Sequence, residues 1–308
     1  MSKTKLKPFL KWAGGKSQLL EEIQKHYPCG LGTVIKKYAE PFIGGGAVFF
    51  DILNNYELEA LYISDTNAEL INVYSQIKDN VGKLLQMLNT FQGEYLPLDT
   101  ESRKEYYYAK RERFNTLKRD HSLSAETAAL FIFLNKTCFN GLYRVNSKGD
   151  FNVPMGAYKK PIICDIENLI NVSKALEKVT IVCADYKQST TFVDETTFAY
   201  FDPPYRPLNV TSSFNSYTEN DFDDEAQTEL AIYIQSLVER GVYVVDPKNT
   251  NSDDDFFDNL YKNLTINRIT ANRMINSNAN SRGKISELLI VGNIKDKENE
   301  KKFCTMVG

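Results

Sequence analysis

The chain has 308 residues, 42% hydrophobic and 25% charged, with a formal net charge of −3 and a pI near 5.7. These proportions suit one large globular domain or two of about 150 residues, and they exclude a disordered or fibrous chain. The longest apolar run, Ala128 to Leu134, falls far short of the ~20 residues that cross a bilayer.

Val34 to Ala39 reads as a buried strand ending in Glu40-Pro41-Phe42-Ile43-Gly44-Gly45-Gly46, with a helical pattern from Ala47 to Leu53 behind it. A second strand, Glu59 to Ser64, ends at Asp65, and a helix follows from Ala68 to Ile77. The rhythm then breaks. From about 81 to 160 there are helical candidates at Lys83–Phe91, Ser102–Lys118 and Ser124–Asn135, then a Gly- and Asn-rich run from Phe139 to Asp150. It resumes with a strand, Phe198 to Phe201, that ends at Asp202-Pro203-Pro204-Tyr205. A helix at Glu225–Arg240 and a strand from Val242 to Val245, stopping at Asp246-Pro247, complete the pattern. Strands alternating with helices predict an α/β fold, a mostly parallel sheet covered on both faces. The intervening stretch reads as an inserted, mostly helical domain with a basic loop or hairpin at its tip.

Charge is segregated along this order. Between Lys136 and Lys160 five basic residues face one acid, and between Arg268 and Lys284 there are four basic residues and no acid. A local positive surface is therefore compatible with a net acidic chain. The five cysteines (Cys29, Cys138, Cys164, Cys183, Cys304) are scattered without a Cys-x-x-Cys pair, which predicts free thiols in a reducing compartment and no metal site. Met1 to Pro8 has no apolar stretch suited to a signal peptide, so a cytoplasmic protein with no membrane partner is expected.

Three consecutive glycines between a strand and a helix let backbone N–H groups approach a ligand. Asp65, at the end of the next strand, is placed to accept both ribose hydroxyls of a nucleotide-like cofactor. This pair alone does not separate NAD from S-adenosylmethionine. The Asp202 tetrapeptide is more telling. Two prolines after a buried strand stiffen the backbone, so a carboxylate, a carbonyl and an aromatic ring are fixed near one another. An exocyclic amine on a nucleobase is a poor nucleophile because its lone pair is delocalised into the ring. The Asp202 carboxylate and the Pro203 carbonyl can each accept an amine hydrogen, while Tyr205 stacks on the base; such preorganised acceptors oppose the developing positive charge. Gly15-Lys16-Ser17 is not the tail of a phosphate-binding loop, since Leu10 stands where its first glycine is required. Pro28-Cys29 precedes the glycine loop and ends no strand, so it does not read as a cytosine-attacking nucleophile.

Lys7-Pro8-Phe9-Leu10-Lys11-Trp12-Ala13-Gly14-Gly15-Lys16, the Glu40–Gly46 loop, Asp65-Thr66-Asn67-Ala68-Glu69-Leu70-Ile71-Asn72 and Asp202-Pro203-Pro204-Tyr205 together resemble the Dam/DpnII-type DNA adenine methyltransferases, nearly end to end and in the family's motif order. The resemblance implies a Rossmann-like methyltransferase sheet (1–80 and 161–308) carrying an inserted target-recognition domain (81–160). It implies S-adenosyl-L-methionine as cofactor, held by Trp12, Lys16, Phe42, Gly44, Gly45, Gly46, Asp65, Asp185 and Asp202, with Asp202, Pro203 and Tyr205 catalytic. The partner implied is double-stranded DNA, methylated at adenine within GATC after the base is flipped out. Arg144 would read a guanine and Lys11 a second, and Phe139 would fill the duplex beside the extruded base. Asn140, Leu142, Asn146, Lys148, Pro154, Tyr158, Arg282 and Lys284 complete the expected DNA surface. A restriction endonuclease acting on the same site, without binding this chain, fits the same resemblance. Other acceptors (cytosine's amine, adenine in RNA) and a catalytically silent DNA-binding relative remain as alternatives. One departure stands out: family members commonly carry Ser-Asn after the strand that here ends at Val245, where this chain has Asp246-Pro247-Lys248-Asn249.

Overall fold

A computed structural model of the chain describes residues 5–206, 222–249, 254–272 and 284–292. Its strands are β1 (Lys37–Glu40), β2 (Ala60–Asp65), β3 (Val179–Cys183), β4 (Thr197–Tyr200), β5 (Tyr243–Asn249), β6 (Thr265–Asn272) and β7 (Lys284–Gly292). They form one sheet in the order β3-β2-β1-β4-β5-β7-β6. The first five strands of that order run parallel, and β7 is antiparallel to both β5 and β6. This is the α/β methyltransferase-type sheet expected from the alternation, extended by an antiparallel edge.

The parallel strands are covered on both faces, so successive residues enter different cores. Tyr38, Phe198, Tyr200 and Val245 belong to one buried cluster, while Ala39, Ala199, Phe201 and Val244 belong to another, together with Leu230, Ile234 and Leu237 of helix α7 (Asp224–Glu239). In α/β sheets of this kind, ligands bind outside the carboxyl ends of the strands, at the point where the strand order reverses. Here that point is between β1 and β4.

Helices α1 (Leu20–Gln24), α2 (Ala47–Asn55), α3 (Ala68–Tyr95), α4 (Thr100–Arg119), α5 (Ala125–Thr137) and α6 (Ile166–Leu176) precede α7, and α8 (Phe256–Leu260) follows it. The patterns at Ala68–Ile77 and Lys83–Phe91 are halves of the single helix α3, which departs from helical backbone at Asn80 (φ −138°, ψ 32°). Side chains of Asn67, Asp99 and Ser124 cap α3, α4 and α5 by accepting backbone N–H groups, which removes orphan donors at each start. The apolar run Ala128–Leu134 is the middle of α5, where every residue is at most 2% exposed. Being apolar all round, α5 is a buried axis rather than an amphipathic surface helix. Phe133 meets Phe91, Tyr95 and Tyr106 edge-on, and one apolar cluster runs from β1 and β2 through α3 into α5.

One expectation is corrected. The strand begun at Val242–Val245 does not stop at Asp246-Pro247; β5 continues to Asn249, paired to β7 with Pro247 opposite Leu289. The proline instead ends pairing on the other side. Phe201 N–H donates to the Val245 carbonyl at 3.0 Å. In a parallel ladder the return donor to Phe201 is the N–H of residue 247, which proline lacks. The β4–β5 ladder therefore finishes beside Asp202. Of the cysteines, Cys138, Cys164 and Cys183 are free thiols, as expected, and Cys304 lies outside the described residues. Among the described residues no helix is long and apolar enough to cross a membrane.

Candidate active site

The glycine loop that follows β1 is a tight turn, closed by Gly46 N–H donating to the Ile43 carbonyl at 2.7 Å. Gly44 (φ +44°) and Gly46 (φ +69°) occupy the left-handed region, where a side chain costs energy. A Cβ on Gly44 or Gly45 would lie 2.7 or 2.8 Å from the Trp12 side chain, so these positions keep the indole seated on the loop. Asp65, ending β2, ties the turn down: its Oδ2 accepts Gly44 N–H at 3.2 Å and its Oδ1 accepts Asn67 N–H at 2.9 Å. Burial raises the Asp65 carboxyl above its ordinary value, and the N–H groups from Asn67, Gly44 and Thr66 oppose that rise. Beyond β3, Ala184 N–H donates to the Asp65 carbonyl at 3.0 Å, which sets the exposed Asp185 on the neighbouring strand end. Phe42 stacks on Tyr186 with ring centroids 5.5 Å apart. Trp12, Phe42, the three glycines, Asp65 and Asp185 thus gather at the carboxyl ends of β1, β2 and β3.

Asp202 emerges from β4 on the face of the sheet that carries Tyr38 and Tyr200. Its Oδ1 accepts the Lys16 ammonium at 2.5 Å, and Lys16 also donates to the Gly14 carbonyl at 3.2 Å. Lys16 is 3% exposed. Burial alone would push its pKa down; the negative field of Asp202, with Tyr205 and Glu287, reverses this and holds it above the ordinary lysine value. Lys16 is therefore a fixed cation that orients the Asp202 carboxylate and leaves Oδ2 for another donor. The same ammonium lies 4.5 Å from the Tyr205 ring centroid. Glu40, the last residue of β1, is fully desolvated, which pushes its carboxyl up even though the Tyr38 hydroxyl donates to it.

The residues after Asp202-Pro203 are each held by a buried polar side chain. Gln227 of α7 donates to the Pro204 carbonyl at 3.1 Å, Glu287 of β7 accepts the Tyr205 hydroxyl at 3.1 Å, and Asn249 of β5 donates to the Arg206 carbonyl at 2.9 Å. The sequence singles out Asn249, within the Asp246–Asn249 departure, but neither Gln227 nor Glu287. Glu287 stands 82 positions from Tyr205, although the apolar run Leu288–Val291 directly behind it marks a buried strand.

Lys11 and Trp12 connect this centre to the Gly- and Asn-rich loop. Trp12 stacks on Phe131 and Tyr143, with centroids 6.3 and 5.9 Å away. The Lys11 backbone is clasped by Asn135, which accepts its N–H at 2.9 Å and donates to its carbonyl at 2.7 Å, while the Lys11 ammonium sits 3.9 Å from the Tyr158 ring centroid. The loop folds back as a hairpin, with bridges Cys138↔Met155 and Val145↔Phe151. Phe139, Asn140, Arg144, Lys148 and Pro154 are exposed on it, as is Lys11 on the segment packed against it, and Leu142, Asn146 and Tyr158 are half-buried. Asn146 is committed to the turn, its Oδ1 accepting the N–H groups of Lys148 and Asp150 at 2.9 and 3.0 Å. Arg144 Nε donates to Asn152 Oδ1 at 2.7 Å, an orienting contact that sequence reading missed. Arg282 lies outside the described residues, as does the side chain of Lys284 at the start of β7.

A family model for D12 class N6 adenine-specific DNA methyltransferase matches residues 12–275. The chain is 49% identical over 288 residues to the Type II methyltransferase M.MjaIII of Methanocaldococcus jannaschii, covering 93% of this chain and 99% of that protein. It is 39% identical over 291 residues to the Type II methyltransferase M1.LlaDCHI of Lactococcus lactis, covering 94% and 96%. With a DNA adenine methylase of Escherichia coli it shares 35% identity over 285 residues, covering 92% and 95%. On that match the chain belongs to the D12 class of N6 adenine-specific DNA methyltransferases.

Proposed function

We propose that this enzyme methylates the exocyclic amine of adenine within GATC in duplex DNA, with S-adenosyl-L-methionine as donor, after the base has been turned out of the stack. The carrying observation is the Lys16–Asp202–Tyr205 group together with the glycine loop: an oriented carboxylate and an aromatic ring, and a loop so closely packed by Trp12 that Gly44 and Gly45 admit no side chain. That loop, with the acid of Asp65 tied to it, fits a nucleoside-bearing donor. Trp12, Phe42, Gly44–Gly46, Asp65 and Asp185 would hold the cofactor, with Lys16 and Asp202 at its reactive end. When bound, it supplies an electrophilic methyl group.

The chain's own residues prepare the acceptor. Asp202 Oδ2 and the Pro203 carbonyl each take one hydrogen of the amine, which localises the lone pair. Tyr205 stacks on the base and sets its plane. As the amine gains a bond its nitrogen becomes positive, and the adjacent carboxylate stabilises that charge without reorganising; the proton released afterwards is acidic enough to need no strong base. The amine is engaged in pairing inside the duplex, so the base must leave the stack to reach this corner.

The 81–160 segment acts as the recognition unit in this reading. Arg144 projects from the hairpin with Nε on Asn152, which leaves its terminal nitrogens for a guanine edge. Lys11 reaches a second guanine, exposed Phe139 fills the vacated stack, and Lys148, Lys159, Arg282 and Lys284 neutralise phosphates. Asn146 contributes by shaping the turn. The work is placed in the cytoplasm, on chromosomal or plasmid DNA. The Type II names of two relatives support a role beside an endonuclease of the same specificity.

The test is plasmid protection. DNA incubated with enzyme and donor is expected to resist a GATC-cutting nuclease that adenine methylation blocks, and its hydrolysate to contain N6-methyladenine. Complete cutting despite N6-methyladenine elsewhere would overturn the GATC assignment, and methylated cytosine amine would overturn the acceptor.

A further inference from the structure

Tyr205 is anchored at its hydroxyl by a residue from the far end of the chain. Glu287 is 8% exposed and sits on β7 directly opposite Asn249 of β5, next to the place where Pro247 ends the β4–β5 ladder. Its carboxylate Oε1 accepts the Tyr205 hydroxyl at 3.1 Å. Burial raises the Tyr205 phenol above its ordinary value, so the hydroxyl keeps its proton and is the donor in this contact.

The neighbouring contacts do a different job. Gln227 and Asn249 grip the carbonyls of Pro204 and Arg206, and the Arg206 guanidinium is bonded to Asp224 at 2.5 and 2.8 Å. These fix the backbone path on either side of Tyr205 but not the direction of its ring. That direction is set by what meets the ring's far end and its face. The hydroxyl lies on the ring axis, so a fixed acceptor for it fixes the axis, while Lys16 at 4.5 Å from the centroid bounds a face.

We propose that Glu287 is a positioning residue for methyl transfer: by accepting the Tyr205 hydroxyl it aims the ring on which the extruded adenine stacks, and so sets how that base meets Asp202. The inference rests on the reading of Tyr205 as the stacking platform. It gives the antiparallel edge of the sheet a direct part in the reaction.

The experiment compares Glu287→Ala, Glu287→Gln, Tyr205→Phe, Tyr205→Ala and the Glu287→Ala/Tyr205→Phe double variant, with plasmid DNA and tritiated S-adenosylmethionine under single-turnover conditions. Cofactor affinity is read from the fluorescence of the single tryptophan, Trp12, and folding from thermal melting. Loss of one hydrogen bond corresponds to about a tenfold slower transfer step. Glu287→Ala should show that loss at unchanged cofactor affinity. Glu287→Gln, whose amide oxygen accepts the same hydrogen, should recover most of the rate. In the Tyr205→Phe background, Glu287→Ala should cost nothing further. A wild-type rate in Glu287→Ala would overturn the inference, and so would an equal loss with and without the Tyr205 hydroxyl, or a loss that follows the melting temperature. If Tyr205→Ala transfers methyl at the wild-type rate, the stacking role itself falls and takes the inference with it. A slow Tyr205→Ala beside a fast Glu287→Ala removes Glu287 alone.

Discussion

Asp202→Ala is expected to slow methyl transfer by about 10²–10³-fold, the usual cost of deleting one preorganised group that faces charge developing in a transition state. The substitution removes the acceptor for an amine hydrogen and the negative charge beside the nitrogen as it becomes positive. It also strands Lys16, a 3% exposed ammonium whose ion-pair partner is Asp202. Stranding a buried charge is costly in itself, so the measurement needs a companion. Asp202→Asn keeps the shape and one acceptor oxygen and should lose less than Asp202→Ala, while thermal melting separates a chemical loss from an unfolded fraction. DNA binding, read by filter retention or anisotropy, should stay within a few-fold because the exposed Arg144 and Lys148 proposed to meet DNA lie on the hairpin and are untouched by the substitution. Undiminished single-turnover transfer by Asp202→Ala would defeat the mechanism.

Arg144→Ala should act on choice of site rather than on grip. A bidentate arginine–guanine contact discriminates against a wrong base by about 1–3 kcal/mol, or about 5- to 150-fold in specificity. The structure adds a reason for the upper part of that range. Nε is held by Asn152 at 2.7 Å, so the guanidinium is already oriented and less side-chain freedom is lost on binding. The comparison to make is kcat/KM on a duplex with GATC against one with the guanine replaced. The ratio should collapse in the variant, while affinity for random duplex falls only slightly. Equal losses on both would make Arg144 a phosphate contact. Asn152→Ala should weaken the same discrimination less.

The centre of the fold is legible because its strands are parallel and buried on both faces: β2 and β4 stand out as short apolar runs, whereas β1, Lys-Tyr-Ala-Glu, is marked mainly by the glycine loop that follows it, and Val34, where the expected strand begins, is exposed and lies outside it. Gly44–Gly46, Asp65 and Asp202 all stand at strand ends, and it is the family resemblance that joins them in one expected site. What escaped was whatever depends on partners far apart in the chain. Pro247 reads as a strand terminator in the sequence, yet a proline halts pairing only on the side where its N–H would point, and β5 runs on along β7. The same blind spot hid the roles of Glu287, Asn249 and Gln227, which exist only once three elements meet around Pro204–Arg206. Asn146 shows the opposite case: a polar residue in a recognition loop whose oxygen is consumed by the loop's own turn.

One peptide bond separates the side chain that lies against the hairpin from the side chain that lies on the glycine loop. Lys11 meets Gly141 and Tyr158; Trp12 meets Gly44, Gly45 and Tyr143. That adjacency joins the guanine contact proposed for Lys11 to the cofactor contact proposed for Trp12, and any coupling between them is reciprocal: whatever factor the correct sequence adds to or takes from donor affinity, the donor returns to affinity for that sequence.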